Sequence, residues 1–433
     1  MRTAALARDR LEQALGRIRD RDGEGSRTIL TLYEEDAMQA AEAADCRARD
    51  GTALGPLDGV MVSIKDLFDV AGEPTRAGSK ILSDAQPATT DAPVVERLRR
   101  ADAVIVGKTN MSEFAFTGIG ANPHYGTPRN PADRSRLPGG SSSGAAVSVA
   151  DGMCEIAIGT DTGGSTRIPA ALCGVVGYKP TQSRVSTKGV FPLSPSLDSI
   201  GPLARSVEAC AVADAVLAGE PQRPLEPVEL AGLRLGIPQG MPLDQLDQIV
   251  AGRLDAAIAR LYQAGASLSD MKFALFDDMT RVQSAATIAT VEAYHIHRER
   301  IAERGSDYDP IVRARIESGA VVSQSDYATM IEERAKLTKS MDFALADVDA
   351  LVLPTTPIVA PRIDEISDPK KFNECNRLLL RNTAIANFFD LCAISIPLPQ
   401  DGAFPSGLML FARRGEDRRL FDIAASVERL FFG

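Results

Sequence analysis

The sequence predicts an α/β fold, a twisted and largely parallel sheet covered by helices on both faces, on two observations. Short apolar runs of strand length alternate with stretches of helical period, the pattern that βαβ units impose. A composition of 44% hydrophobic and 24% charged residues over 433 positions supplies the large core that such a sheet needs. At roughly 150 residues per domain the length admits two or three domains, although large α/β enzymes also run as one unit.

The elements follow in chain order. MRTAALARDRLEQALGRIRD places Leu6, Leu11, Leu15 and Ile18 at helical spacing, and helices within residues 1–50 are expected to pack on the domain. The Arg, Asp and Glu between those leucines leave no uninterrupted hydrophobic region for a signal peptide. LDGVMVSIKD (57–66) reads as a strand ending near Lys65, DAPVVERLRRA (91–101) as a helix capped by Asp91, and AVIVGKTN (103–110) as the strand that follows. RLDAAIARLYQAGA (253–266) has helical period, while LRLGIP (233–238), DALVLPTTP (349–357) and CAISIPLP (392–399) read as buried strands. The Pro- and Glu-rich stretch 218–232 suits either a joint between domains or a surface connection within one.

Charge and cysteines narrow the function classes. A formal net charge of −10 with no basic block argues against nucleic acid or an anionic membrane surface as partner. No charge-free apolar run reaches the ~18 residues that a membrane span requires. Six scattered cysteines, without a C-x-x-C pair, fit a reduced cytosolic protein and offer no zinc site.

The chemistry concentrates in two serine-bearing segments and one lysine. GGSSSG (139–144) runs directly into GAAVSVADG (144–152), whose small apolar residues pack well as a helix, so a flexible linker is a poor reading. Two readings remain, a helix N-terminus capped by serine hydroxyls and a nucleophile elbow. Gly140 to Gly144 satisfies G-x-S-x-G, which would make Ser142 the nucleophile of an α/β-hydrolase-type esterase. That enzyme class needs a late histidine, and the three histidines are His124, His295 and His297. Lysine is the chemical alternative as base. Lys65, at the end of an apolar strand, could be held neutral by burial, or could simply pair with Asp66 or Asp69. In GTDTGGS the main-chain N–H groups of Thr162, Gly163, Gly164 and Ser165 can converge on a developing oxyanion without Cβ obstruction.

GGSSSGAAVSVADGMCEIAIGTDTGGSTRIPAALCGVVGYKPT (139–181) closely resembles the signature segment of the amidase signature family. The flanking GPLDGVMVSIKDLFDVAGEPTRAGS (55–79), DAPVVERLRRADAVIVGKTNMSEFA (91–115), SLDSIGPLARSV (196–207) and VLPTTP (352–357) agree, and the likeness thins toward the C-terminus. Ser143 stands where many relatives carry glycine. The resemblance implies a single α/β domain over residues 1–433 with a mixed, twisted central sheet surrounded by helices. It also implies a Ser–cisSer–Lys triad, with Ser165 as nucleophile, Ser141 as the bridging serine after a cis peptide bond, and Lys65 as base. The 24 positions from Ser141 to Ser165 are typical of that segment. Ser142, Asp161 and Arg167 are expected to support the loop by hydrogen bonds or a buried ion pair.

The reaction so implied is cleavage of a C–N amide bond through an acyl-enzyme, with no metal or organic cofactor. A small aliphatic or aryl amide is the first expectation, a carbamate or urea-like compound the alternative. A third reading is the glutamine-hydrolysing subunit of a tRNA amidotransferase; a homodimer is a candidate assembly. Substrate choice is expected in residues 115–137 and 275–390, with Phe114, Phe116, Tyr125, Phe191 and Met330 as candidate pocket residues.

Overall fold

Eleven strands hydrogen-bond into one sheet in the computed structural model, which describes residues 6–399 and 404–433. They are β1 (Ile29–Leu32), β2 (Met61–Lys65), β3 (Val104–Thr109), β4 (Ile156–Asp161), β5 (Val176–Lys179), β6 (Ser199–Ala204), β7 (Arg234–Pro238), β8 (Ser267–Met271), β9 (Ala350–Pro354), β10 (Cys392–Pro397) and β11 (Gly407–Ala412). Their order across the sheet is β1-β3-β2-β4-β6-β5-β10-β11-β9-β7-β8.

The expectation of a largely parallel sheet is corrected. Four neighbouring pairs are parallel, β2 with β3 and β4, and β7 with β8 and β9. The other six are antiparallel. Helical crossovers account for the parallel pairs; the antiparallel centre arises where β10 returns through β11 from Pro397↔Gly407 to Cys392↔Ala412. The mixed sheet that the family resemblance implied is what forms.

Helices cover both faces. Pro93–Arg100, Val207–Ala218, Gln248–Gln263 and Asp417–Phe432 bury Leu98, Leu217, Leu261 and Leu420 in one core with Val62, Ile64 and Ile158. On the opposite face Ala7–Arg19, Glu34–Asp50 and Ser143–Ala150 bring Leu11, Ala41 and Val149 onto Val104, Val106 and Ala157. The N-terminal helix buries Leu11, Leu15 and Ile18 as its period requires, whereas Leu6 precedes it and is exposed. Residues 1–5 of that sequence pattern lie outside the described residues.

Two local expectations change. Asp91 does not cap the following helix, which starts at Pro93 behind Ala92; its carboxylate accepts instead from the Ala71 N–H and from Arg99. Residues 218–232 run between the helix Val207–Ala218 and β7, held to the C-terminal helix where Ser426 donates to the Val228 carbonyl and Glu226 N–H donates to Asp422.

Candidate active site

The period of β2 decides where Lys65 points. Val62 and Ile64 enter one core, so Met61, Ser63 and Lys65 face the helix Ser143–Ala150, and Ser63 Oγ lies 3.1 Å from Ser148 Oγ on that helix. Lys65 is fully buried at the strand's C-terminal end. Its Nζ lies 2.7 Å from Ser141 Oγ and 2.9 Å from Thr160 Oγ1. It pairs with neither neighbouring acid: Asp66 accepts from the Gly78 N–H and Asp69 from the Thr75 hydroxyl. Burial lowers the Lys65 pKa to about 7, although Asp161 and Asp198 favour its charged form.

Ser141 reaches Lys65 because the 139–144 segment is threaded tightly between neighbours. Gly140 N–H donates to the Gly118 carbonyl, Ser112 N–H donates to the Ser141 carbonyl, and the Gly140–Ser141 peptide bond is cis. A Cβ at Gly140 would fall 2.6 Å from the Gly120 nitrogen, so only glycine fits there. The next residue ties the two serine segments together: Ser142 N–H donates to the Ser165 carbonyl at 3.3 Å.

The two other readings of GGSSSG are corrected. Ser142 Oγ donates to the Thr160 carbonyl and does not cap the helix that begins at Ser143. Ser142 is also fully buried and lines none of the cavity, whereas an elbow serine must be presented to substrate. No histidine stands by. His124 meets Glu113, His297 meets the Tyr308 hydroxyl, and His295 lies exposed on its helix.

The loop after β4 carries Ser165. Asp161 ends that strand and is fully buried against Arg167, which donates to its two carboxylate oxygens at 3.1 and 2.8 Å. Thr166 and Asn387 donate to the same carboxylate. Burial alone would raise the Asp161 pKa; the Arg167 charge and these hydrogen bonds outweigh it and hold the carboxyl well below the usual range. Thr162 donates to Asp198, which burial pushes up to about 6. Thr383 donates to the Gly163 carbonyl at 2.6 Å. Gly164 has φ +136°, and a Cβ there would sit 2.2 Å from Thr383 Oγ1. Among the described residues the N–H groups of Gly163, Gly164 and Ser165 donate to no protein acceptor, and Ser165 Oγ has no hydrogen-bond partner. A tightly braced turn therefore holds three unclaimed donors beside one unengaged hydroxyl.

Thr162, Gly163 and Ser165 line a cavity of about 150 Å³. Its remaining wall is mostly apolar, with Phe116, Leu193, Leu197, Leu380, Ala384 and Phe388, and it also includes Arg315. The regions 115–137 and 275–390 do supply much of this wall, but of the five aromatic and methionine candidates only Phe116 belongs to it. Phe114 and Phe191 pack on each other and on His297, Tyr125 donates to the Ser79 carbonyl, and Met330 is buried in a core shared by helices and the strands β9, β10 and β11. Sequence reasoning does not find Leu193, Leu197, Leu380 and Arg315. Leucines carry no chemical signal in a sequence, and helical arginines are usually surface residues.

Comparison with known proteins shows that the chain carrying this cavity is an enzyme and gives its kind. The chain belongs to the Amidase family, whose model matches residues 11–421, and it is a hydrolase of amide C–N bonds. It is 38% identical over 401 residues to 2-amino-5-chloromuconic acid deaminase of Comamonas testosteroni, covering 91% of this chain and 86% of that one. It is 36% identical to a glutamyl-tRNA(Gln) amidotransferase subunit from Anaeromyxobacter sp. (strain K), covering 97% and 92%. A solved structure described as a crystal structure of amidase superposes with a TM-score of 0.88 at 34% identity, covering 98% of this chain and 96% of that one.

Proposed function

We propose that the chain cleaves a small amide by covalent catalysis at Ser165, with Ser141 as proton relay and Lys65 as base. The observation that carries this reading is the buried Lys65 amine 2.7 Å from Ser141 Oγ, in a segment hydrogen-bonded to Ser165. With a pKa of about 7, a large share of Lys65 is neutral near pH 7, and its lone pair can accept the Ser141 proton. Ser141 takes the proton of Ser165 as Ser165 Oγ bonds to the amide carbonyl carbon. The carbonyl oxygen becomes an oxyanion, met by the unclaimed N–H groups of residues 163–165. As the C–N bond breaks, the proton returns through Ser141 to the leaving nitrogen and an acyl-Ser165 ester remains. Water, deprotonated along the same relay, then releases the carboxylic acid.

Thr162, at the end of the same turn, is a further main-chain donor candidate. Asp161 and Arg167 act in this account as positioning residues, because their ion pair fixes the turn that bears Ser165. Ser142 holds the two segments in register through its N–H to the Ser165 carbonyl. Carbamates would use the same oxyanion chemistry. A cytosolic site of action fits six cysteines that are all free thiols.

A second reading, a glutamine-hydrolysing subunit, draws on the 36% identity with an amidotransferase subunit. The isolated chain should be assayed against amides, anilides, carbamates and glutamine. Release of acid and amine or ammonia from simple amides, without glutaminase activity, supports the first reading. Turnover of glutamine alone supports the second, and turnover of nothing contradicts both.

A further inference from the structure

Arg315 stands apart from the other buried arginines around this cavity. Arg167 donates to Asp161, Asn387 and the Thr383 carbonyl, and Arg334 donates to the carbonyls of Ser196, Asn387 and Phe388. Arg315, in the last turn of the helix Pro310–Glu317, is largely buried, yet its guanidinium has no hydrogen bond or ion pair among the described residues. Its Nε is wholly enclosed without a partner. Burial lowers its pKa and no neighbouring carboxylate opposes that.

The Arg315 guanidinium carbon lies over the Phe116 ring, 5.2 Å from its centroid. A cation–π contact of this kind uses none of the guanidinium N–H donors in a hydrogen bond to protein. An unpaired buried cation is costly, and it persists most readily where a ligand completes it. Both Arg315 and Ser165 line the one cavity, whose wall between polar groups is leucine, alanine and phenylalanine. The planar fork of a guanidinium matches a carboxylate in two parallel hydrogen bonds. A cavity of about 150 Å³ takes a body about the size of one benzene ring.

We infer that Arg315 receives a carboxylate on the substrate, so that the preferred substrate is a small anionic amide with an apolar body between its carboxylate and its scissile amide. The inference rests on the proposed reaction at Ser165 for the identity of the scissile group, but the anion site itself can be measured without turnover.

Two probe pairs test it: succinamate against its neutral isostere succinamide, and 4-carbamoylbenzoate against terephthalamide. Calorimetry on Ser165→Ala, which should prevent hydrolysis, measures binding alone. At least one anion should bind ~10- to 100-fold tighter than its isostere, the range of a charge-assisted hydrogen bond. Adding Arg315→Met should abolish that difference, while Arg315→Lys, which keeps the charge without the fork, should retain part of it. Equal binding within both pairs, no binding of either anion, or a difference that survives Arg315→Met would overturn the inference. Should the methionine variant fail to fold, the lysine variant and the preference of the Ser165→Ala chain still decide. Anion binding without any hydrolysis by the unmodified chain would contradict the reaction at Ser165 and leave the anion site standing.

Discussion

Replacing Lys65 by methionine should remove a pH-dependent cost of burial while silencing the reaction. In the unfolded chain a lysine titrates near 10.4. Folded, Lys65 titrates at about 7, so its burial costs roughly 5 kcal/mol at and below pH 7. The sign follows from the protons bound. Between about pH 7 and 10 the unfolded chain holds a proton that the folded chain lacks, so the native protein gains stability as pH rises through that window. Methionine removes this dependence, but it leaves the Ser141 and Thr160 hydroxyls each short of a partner, at about 1–3 kcal/mol apiece. The stability of Lys65→Met relative to the native chain should therefore be greatest at about pH 6 and below and fall by roughly 4 kcal/mol toward pH 10. Urea unfolding of both proteins at several pH values measures it, and other titrating groups largely cancel in the difference. A pH-independent difference would show that burial does not lower the Lys65 pKa. The same shift sets the activity profile. At an ordinary lysine pKa only about one chain in 2,500 would carry a neutral amine at pH 7. With the lowered value, kcat/KM should fall tenfold per pH unit only below about pH 7.

Two further outcomes are expected. Gly164→Ala must place a Cβ at φ +136° and 2.2 Å from Thr383 Oγ1, so it should lose about 1–3 kcal/mol in thermal unfolding and reduce kcat through the displaced N–H donors; unchanged melting would contradict the strain. Ser141→Ala should lose several orders of magnitude in kcat/KM on an amide and less on the matching ester, whose leaving group needs less protonation; equal losses would mean that Ser141 only shapes the loop.

Legibility in the sequence followed the range of the physical signal. The apolar run ending at Lys65 was legible as a strand, since strand pattern is local, and the glycines of GTDTGGS could be read as places where the backbone must approach closely; the face that Lys65 takes and the tight passage at Gly140 came from the structure. Strand direction was not readable. The antiparallel pairing of β5 with β6 and β10 is set by contacts between residues far apart in the chain, and no local pattern encodes it. Caps failed for the same reason: Asp91 has the right residue type, but the Ala71 N–H and Arg99 compete for its oxygens. Ser142 satisfied an elbow pattern and yet turns inward to the Thr160 carbonyl. Arg315 was invisible because one arginine in the amphipathic stretch PIVRARIE looks like any solvated charge; only tertiary packing strips it of partners.

The central claim is that Ser165 is the attacking atom, and covalent trapping tests it most directly. The protein should be treated with a fluorophosphonate, its intact mass measured and its peptides mapped. The account predicts a single adduct, located on Ser165 within GGSTR, that disappears in Ser165→Ala and forms more slowly in Ser141→Ala and Lys65→Met. An adduct on Ser142, or one that persists at full rate in Ser165→Ala, would contradict it.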